Sequence, residues 1–469
     1  MKFLKYFTVL LFFGSMLTGC FNDNDDVIRP SSELEIKDFI RRGMNVWYLY
    51  KEDSPDLAND RFSSDQEYTD FLNSFDSPES LFDHFVASQD EFSWIVSDYI
   101  ALEQAFDGIS LSNGMKFGLV RYPNDPTQVF GYVRYVLPGT DAEAKGIKRG
   151  DIFNTVNGTQ LTENNTSELL SPDSYTIGLA TFDGNDITPT GASVELTKMQ
   201  YTENPVFVTK TLDVGGNPVG YIMYNAFRSN FENDLNNAFG QFKSDGVTDI
   251  ILDLRYNGGG DTETTKDLAS MITGQFNGEI FTTEEWNSDR QEQFGDTNRF
   301  DNQIRSGAAI NSLNLNRVYI ITTGRSASAS ELIINGLDPY ITVTQVGDVT
   351  TGKFQASITV YDSDNFFRSG TNLNLGHTYA MQPLVLKTIN SVGFTDYFNG
   401  FTPEISLRED YSNLGVLGDP SEPLLNAAIN DILGNRSTSQ KNFLALDEIG
   451  GDNMFNPDYE RMYKNLEEK

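Results

Sequence analysis

The chain has 469 residues, with 67 acidic against 34 basic side chains, a formal net charge of −33, two histidines and one cysteine. With 39% apolar and 12% aromatic residues it can bury real cores, which excludes wholesale disorder. A single cysteine excludes a disulfide framework and any multi-cysteine metal site. Two histidines leave no His-rich metal centre, and the acidic excess argues against nucleic acid or an anionic membrane surface as a direct ligand. The chemistry must therefore use carboxylates, hydroxyls, lysine or backbone groups, and no metal or organic cofactor is expected. The length suggests roughly three domains of about 150 residues each.

In chain order, Lys2 and Lys5 precede an apolar run, Phe7 to Leu17, that is too short to span a bilayer. Leu17-Thr18-Gly19-Cys20 follows and resembles a bacterial lipobox, which implies a signal peptide over 1–19 and lipidation at Cys20. The only membrane contact would then be the lipid, on an extracytoplasmic protein at the periplasmic face or the cell surface. Residues 20–31 carry Asp23, Asp25 and Asp26 and read as an acidic tether. The stretch resembles the export tag of surface lipoproteins in Bacteroidetes-type bacteria, and a plain solvated linker suits it equally.

Residues 32–112 read as an N-terminal helical domain. Ser32 and Glu35 form a capping-box pattern ahead of Ile36, Phe39, Ile40 and Met44 at helical spacing, and Ser77-Pro78-Glu79 opens a second helix. Residues 21–110 hold 21 acidic and 6 basic side chains, a net charge of −15. His84 sits on the second helix among apolar neighbours and reads as structural.

Residues 113–204 switch to short strands. The run Gly139-Thr140-Asp141-Ala142-Glu143-Ala144-Lys145-Gly146, continued by Arg149-Gly150-Asp151-Ile152-Phe153-Asn154-Thr155-Val156-Asn157-Gly158, resembles a PDZ domain of the bacterial protease type. The resemblance implies that a peptide adds as an extra strand with its C-terminal carboxylate on backbone N–H groups. Phe117, Gly118 and Leu119 are the expected peptide-binding loop. A β domain that merely packs on its neighbour is the plainer alternative.

Residues 205–436 alternate strand and helix: Val219 to Tyr224, Phe231 to Phe242, Asp249 to Leu254, Thr262 to Ile272, Val318 to Thr322, Ala329 to about Gly336 and Ile341 to Val346. The alternation predicts an α/β core with a mainly parallel sheet, whose ligands sit beyond the C-terminal strand ends. Three loops there carry chemistry. Arg255-Tyr256-Asn257-Gly258-Gly259-Gly260-Asp261 can aim N–H groups at an anion. Gly324-Arg325-Ser326-Ala327-Ser328-Ala329-Ser330-Glu331 puts serines at a helix N-terminus, where they can act as nucleophile or as caps. Gly347 to Lys353 spells most of a phosphate-binding P-loop. However, Phe354 replaces the magnesium-binding hydroxyl, and Ser357 to Tyr361 reads as a strand where a helix is needed.

Together these loops resemble the C-terminal processing (tail-specific) serine peptidases. The hexapeptide Ser326 to Glu331 matches that family's S-A-S-A-S-E, Lys353 follows Ser328 by 25 residues, and Asp253 to Gly260 matches D-L-R-x-N-G-G-G. The resemblance covers about residues 32 to 434. It implies a peptidase fold of multidomain α/β type, Ser328 as nucleophile, Lys353 as base and polypeptides as substrates.

Serine needs a base to be nucleophilic. Lysine can serve if burial lowers its ordinary pKa of about 10.4 by several units. Ala329 with Gly258 or Gly259 would form the oxyanion hole, typically worth about 2.7–4 kcal/mol per donor. The family's glutamine four residues past the lysine is Ser357 here, so Gln355 is the candidate to orient Lys353, although it also suits a purely structural strand position. The sequence therefore predicts a lipid-anchored endopeptidase with a Ser/Lys dyad, or a non-catalytic surface peptide-binding lipoprotein on the same scaffold. Residues 437–469 form a tail, with Pro457-Asp458-Tyr459-Glu460 a possible helix start that either packs on the core or trails free.

Overall fold

A computed structural model describes residues 29–435, 446–452 and 459–466. Cys20, the signal region and the acidic tether up to Ile28 lie outside the described residues. Among the described residues no helix is long and apolar enough to cross a membrane.

The N-terminal part is helical, as expected. Glu33–Trp47 starts at the Ser32/Glu35 capping box, and Pro78–Phe85 starts at Ser77 with proline in the first turn. Phe39, Ile40, Met44, Phe82 and Phe85 are fully or almost fully buried. They join Val360, Met381, Ile222, Ile320 and Leu332 in one continuous cluster, so these helices share the main core.

Residues 115–197 form an antiparallel sheet with Met115–Arg121, Val129–Val136, Ile152–Val156, Ser174–Phe182 and Ile187–Thr197 as neighbours in that order. The expected peptide-binding loop differs. Phe117, Gly118 and Leu119 are interior residues of the strand Met115–Arg121, with Phe117 and Leu119 buried in the sheet's core. Alternating apolar residues favour a strand there over a loop. That strand would be the sheet's edge, but Glu448–Gly451 pairs with it antiparallel, with Gly450 opposite Leu119 and Gly451 opposite Gly118.

The α/β part has two six-stranded sheets. The first runs Val206–Val214, Asn217–Tyr224, Asp249–Asp253, Arg317–Thr322, Thr342–Gly347, Ile405–Ser406. Only its first pair is antiparallel, so the sheet is mainly parallel. Thr262–Ile272 and Ala329–Leu337 pack together as its crossover helices. The second sheet is mixed and was not anticipated. In it Met462–Tyr463 lies between Gly260–Asp261 and Gln355–Ser357, followed by Leu384–Asn390, Ile280–Trp286 and Thr297–Arg299. The segment read as one strand, Ser357 to Tyr361, is two: Gln355–Ser357 joins this sheet and Val360–Tyr361 joins a separate three-stranded one. The possible helix at 457–460 is also revised. Residues 457 and 458 lie outside the described residues, Tyr459 and Glu460 form a turn, and a strand follows.

A buried ion cluster fastens the glycine loop beneath the sheet. The Arg255 guanidinium has no exposure. It donates to Asp253 at 2.7 Å and to both Glu422 oxygens at 2.7 and 3.0 Å. Glu409 bonds Arg255, Tyr256 and Arg149, and Arg149 comes from the antiparallel sheet's Arg-Gly-Asp turn. Replacing Arg255 with Met leaves Asp253 and Glu422 buried without their guanidinium, while Glu409 keeps Arg149 and Tyr256. The expected loss is about 3–5 kcal/mol of stability, read as a lowered midpoint in denaturant unfolding.

Candidate active site

The serine loop is knit to the glycine loop by its own hydroxyls. Ser326 Oγ donates to Leu254 O at 2.8 Å, and Ser330 Oγ donates to Asn257 O at 2.9 Å. These two serines are held in structural hydrogen bonds. Ser328 between them is different. Its φ is +65°, a left-handed conformation that costs a non-glycine residue about 1–3 kcal/mol. It is the N-cap of Ala329–Leu337 and is fully buried. Its Oγ faces the carbonyl oxygen of Glu460 at 3.5 Å.

Lys353 meets the same atom. Its Nζ donates to Glu460 O at 2.5 Å, so the serine hydroxyl and the lysine amine flank one carbonyl oxygen. The amine is buried and lies 4.7 Å from the Phe92 ring centroid. Burial pushes its pKa down to about 7, against the opposing pull of the Glu460 and Asp90 carboxylates. Phe92 reaches this point because Asp90 folds its loop, accepting from the Phe92 and Ser93 N–H groups and from the Tyr48 hydroxyl. The helical part of the chain thus supplies one wall of the site, and no sequence motif announced it.

Glu331 ties the two loops together. Its buried carboxylate accepts from the backbone N–H of Ser328 at 2.8 Å, of Gly352 at 2.5 Å and of Lys353 at 2.8 Å. Burial lifts its pKa to about 7 despite those hydrogen bonds. The signal was present in the sequence as Ser328-Ala329-Ser330-Glu331, a capping-box spacing. The same contacts dispose of the P-loop reading. The Gly352 and Lys353 N–H groups already hold a carboxylate, and a strand follows them.

Two expected partners sit differently. Gln355 does not bond Lys353: its Nε2 donates to Tyr50 Oη at 2.8 Å, and its buried Oε1 has no hydrogen-bond partner among the described residues. On the glycine loop, the Gly259 N–H donates to Asn257 Oδ1 at 2.8 Å, so it is spent on holding the loop. That leaves Ala329, at the helix start, and Gly258 as the expected oxyanion donors. Gly259 at φ +115° and Gly260 at φ +138° use conformations that a side chain would strain, and a Cβ on Gly260 would strike the Phe227 carbonyl. The two histidines lie elsewhere. His84 bonds Asp56, and His377 bonds Asp362.

Comparison with known proteins relates the chain to peptidases. The model of Peptidase family S41 matches residues 218–380, and that of the Peptidase S41 N-terminal domain matches residues 35–94. Over these two segments the chain is similar to peptidase family S41. A crystal structure assigned to the S41 proteases, from Bacteroides fragilis, superposes with a TM-score of 0.68 at 26% identity, covering 85% of this chain and 98% of that one. The Photosystem II D1 C-terminal processing protease shares the fold, with a TM-score of 0.50 at 20% identity over 84% of this chain and all of that one. Among curated proteins, the chloroplastic C-terminal processing peptidase of Tetradesmus obliquus is 25% identical over 228 residues, 46% of each chain. The carboxyl-terminal-processing protease of Picosynechococcus is 25% identical over 221 residues, 46% of this chain and 49% of that one. The chain thus spans about half the length of the curated relatives it matches. Both family matches end before the segments 446–452 and 459–466.

Removing the Glu331 carboxylate orphans three buried N–H groups, each costing about 1–3 kcal/mol. Glu331→Ala is therefore expected to lower the melting temperature sharply, and Glu331→Gln to restore part of it, since the amide oxygen still accepts. The raised pKa also has a sign. The folded state prefers protonated Glu331, so this group's stabilisation is present in full below its unfolded pKa and is lost as pH rises towards and through about 7. Thermal unfolding across that window should show the decline in the native chain and its absence in Glu331→Gln.

Proposed function

We propose that this chain is a serine endopeptidase that hydrolyses peptide bonds of polypeptides with a Ser328/Lys353 dyad. The observation that carries the reading is the shared approach of the Ser328 hydroxyl and the Lys353 amine to one peptide carbonyl, with the amine's pKa lowered by burial to about 7. Neutral Lys353 takes the Ser328 proton as Oγ attacks the carbonyl carbon, then returns it to the leaving amine. The N–H groups of Ala329 and Gly258 receive the oxyanion, helped by the positive end of the helix Ala329–Leu337. The Gln355 Oε1, without a hydrogen-bond partner among the described residues, is an acceptor in reserve for the Lys353 ammonium.

The strand Met115–Arg121 suits peptide capture by strand addition in a PDZ-like manner, with Phe117, Gly118 and Leu119 contributing backbone groups in place of a carboxylate-binding loop. Similarity to a peptidase family supports a polypeptide substrate. The lipobox at Cys20 supports a lipid-anchored, extracytoplasmic location, with the lipid as the only membrane contact.

Digestion of unfolded casein tests the dyad. Ser328→Ala is expected to lower turnover by more than about 10⁴-fold. Lys353→Arg is expected to do the same, because arginine keeps its proton. Retained activity in either variant overturns the assignment. In the native enzyme, kcat/KM should rise about tenfold per pH unit below about 7 and level off above it, as Lys353 loses its proton. A flat profile from pH 5 to 8 would remove Lys353 as the base.

A further inference from the structure

The site is not open to solvent, because the chain's own C-terminal segment fills it. Two separate stretches take part. Glu448–Gly451 adds antiparallel to Met115–Arg121, and the Phe117 N–H donates to the Asp452 carboxylate at 3.1 Å. Glu448 pairs with Arg134 of the antiparallel sheet and, at 3.2 Å, with Arg325 of the serine loop. Further on, Met462–Tyr463 forms the strand between Gly260–Asp261 and Gln355–Ser357, parallel to both. These are the strands that continue the glycine loop and the lysine loop, so the segment closes the slot between the two catalytic loops. Met462 is fully buried, and Arg461 lies with its guanidinium 3.4 Å from the Phe106 ring centroid.

The pose at the dyad is not that of a substrate about to react. Attack requires the carbonyl carbon at Ser328 Oγ and the carbonyl oxygen turned towards the Ala329 and Gly258 N–H groups. Here the oxygen itself faces both the hydroxyl and the amine, and Lys353 donates to it instead of accepting from Ser328. Glu460 has φ +58°, a turned backbone where an extended substrate would be in the β region. The Glu460 carboxylate also pulls Lys353 towards its protonated, non-basic form.

We propose that the C-terminal segments 446–452 and 459–466 are an internal inhibitory ligand, the first bound by strand addition at Met115–Arg121 and the second across the dyad, so that the resting chain is latent. A polypeptide substrate must displace both strands, and the two peptide-binding surfaces form one track. The enzymatic readout rests on the peptidase reading above. A second readout does not.

The test uses the full chain with Glu448→Lys and Met462→Asp combined. The first change opposes Arg134 and Arg325, and the second forbids burial of the strand. Casein turnover should rise at least tenfold, and a synthetic peptide of residues 446–466 added in trans should reverse the rise. Independently, in the Cys20→Ser, Ser328→Cys chain, alkylation of Cys at position 328 by a small maleimide should be at least tenfold faster with the two tail changes than without them, whether or not the chain is a peptidase. Equal alkylation rates in chains of matching circular dichroism overturn the inference. If the double variant unfolds, Glu448→Lys alone, with and without the peptide in trans, is read in the same assays, with the same outcomes deciding. Ser328-dependent loss of the residues after Glu460, seen by intact mass, also overturns it, because the segment would then be a substrate.

Discussion

Everything at the site depends on one carboxylate being buried against three backbone N–H groups. Glu331 sits in the first turn of the serine helix and reaches across to Gly352 and Lys353. Serine and lysine are 25 residues apart in sequence and lie on loops that follow adjacent parallel strands, Arg317–Thr322 and Thr342–Gly347. Parallel neighbours bring their C-terminal ends together, but only to within the spacing of two strands. The hydrogen bonds from Ser328, Gly352 and Lys353 to a single carboxylate remove the remaining freedom. They also let the Ser328 side chain leave the usual capping role. Glu331 satisfies the Ser328 N–H, and the hydroxyl is aimed at the cleft.

The same burial that makes Glu331 costly makes Lys353 useful. A carboxyl and an amine are both pushed towards neutrality by the same apolar surroundings, one upward and one downward, and both arrive near 7. A net charge of −33 favours protonated lysines throughout the chain. Distance and solvent decide otherwise. The acidic excess is concentrated in residues 21–110 and is largely exposed, where water and salt screen it, whereas Lys353 meets a phenyl ring and a peptide carbonyl.

Much of this was legible in the sequence, for reasons that can be traced. The capping box at Ser32, the proline at the start of Pro78–Phe85 and the limits of Thr262–Ile272 and Ala329–Leu337 follow from local rules, and local rules act within a few residues. The meeting of Ser328 and Lys353 was readable because a motif and a spacing name both. What failed to show was non-local. Nothing in Phe92 says that it will cover a lysine far along the chain, since that contact depends on how Asp90 folds its loop. Phe117 to Leu119 is a peptide-binding loop only on the strength of the PDZ resemblance. In fact the glycine makes room for the Tyr132 ring of the next strand, where a Cβ would collide. Gln355 shares a strand with the expected geometry, yet the helical part of the chain supplies Tyr50 as a nearer partner.

The C-terminal segment is the most instructive case. Its sequence is polar and mixed, without the periodicity that marks an element, and its two strands exist only because other strands offer unpaired edges. An edge strand satisfies its backbone by recruiting whatever chain can reach it. Edges at Met115–Arg121 and between Gly260–Asp261 and Gln355–Ser357 can accept any extended chain within reach, the protein's own tail included. The backbone hydrogen bonds are indifferent to which chain supplies them. Side chains therefore have to single out the tail: Glu448 between two arginines, Arg461 against Phe106, and Lys464 against Glu284 at 2.5 Å. Each of these pairs is specific to the tail. The bonds that a substrate would share, those to the strand edges, carry no such discrimination.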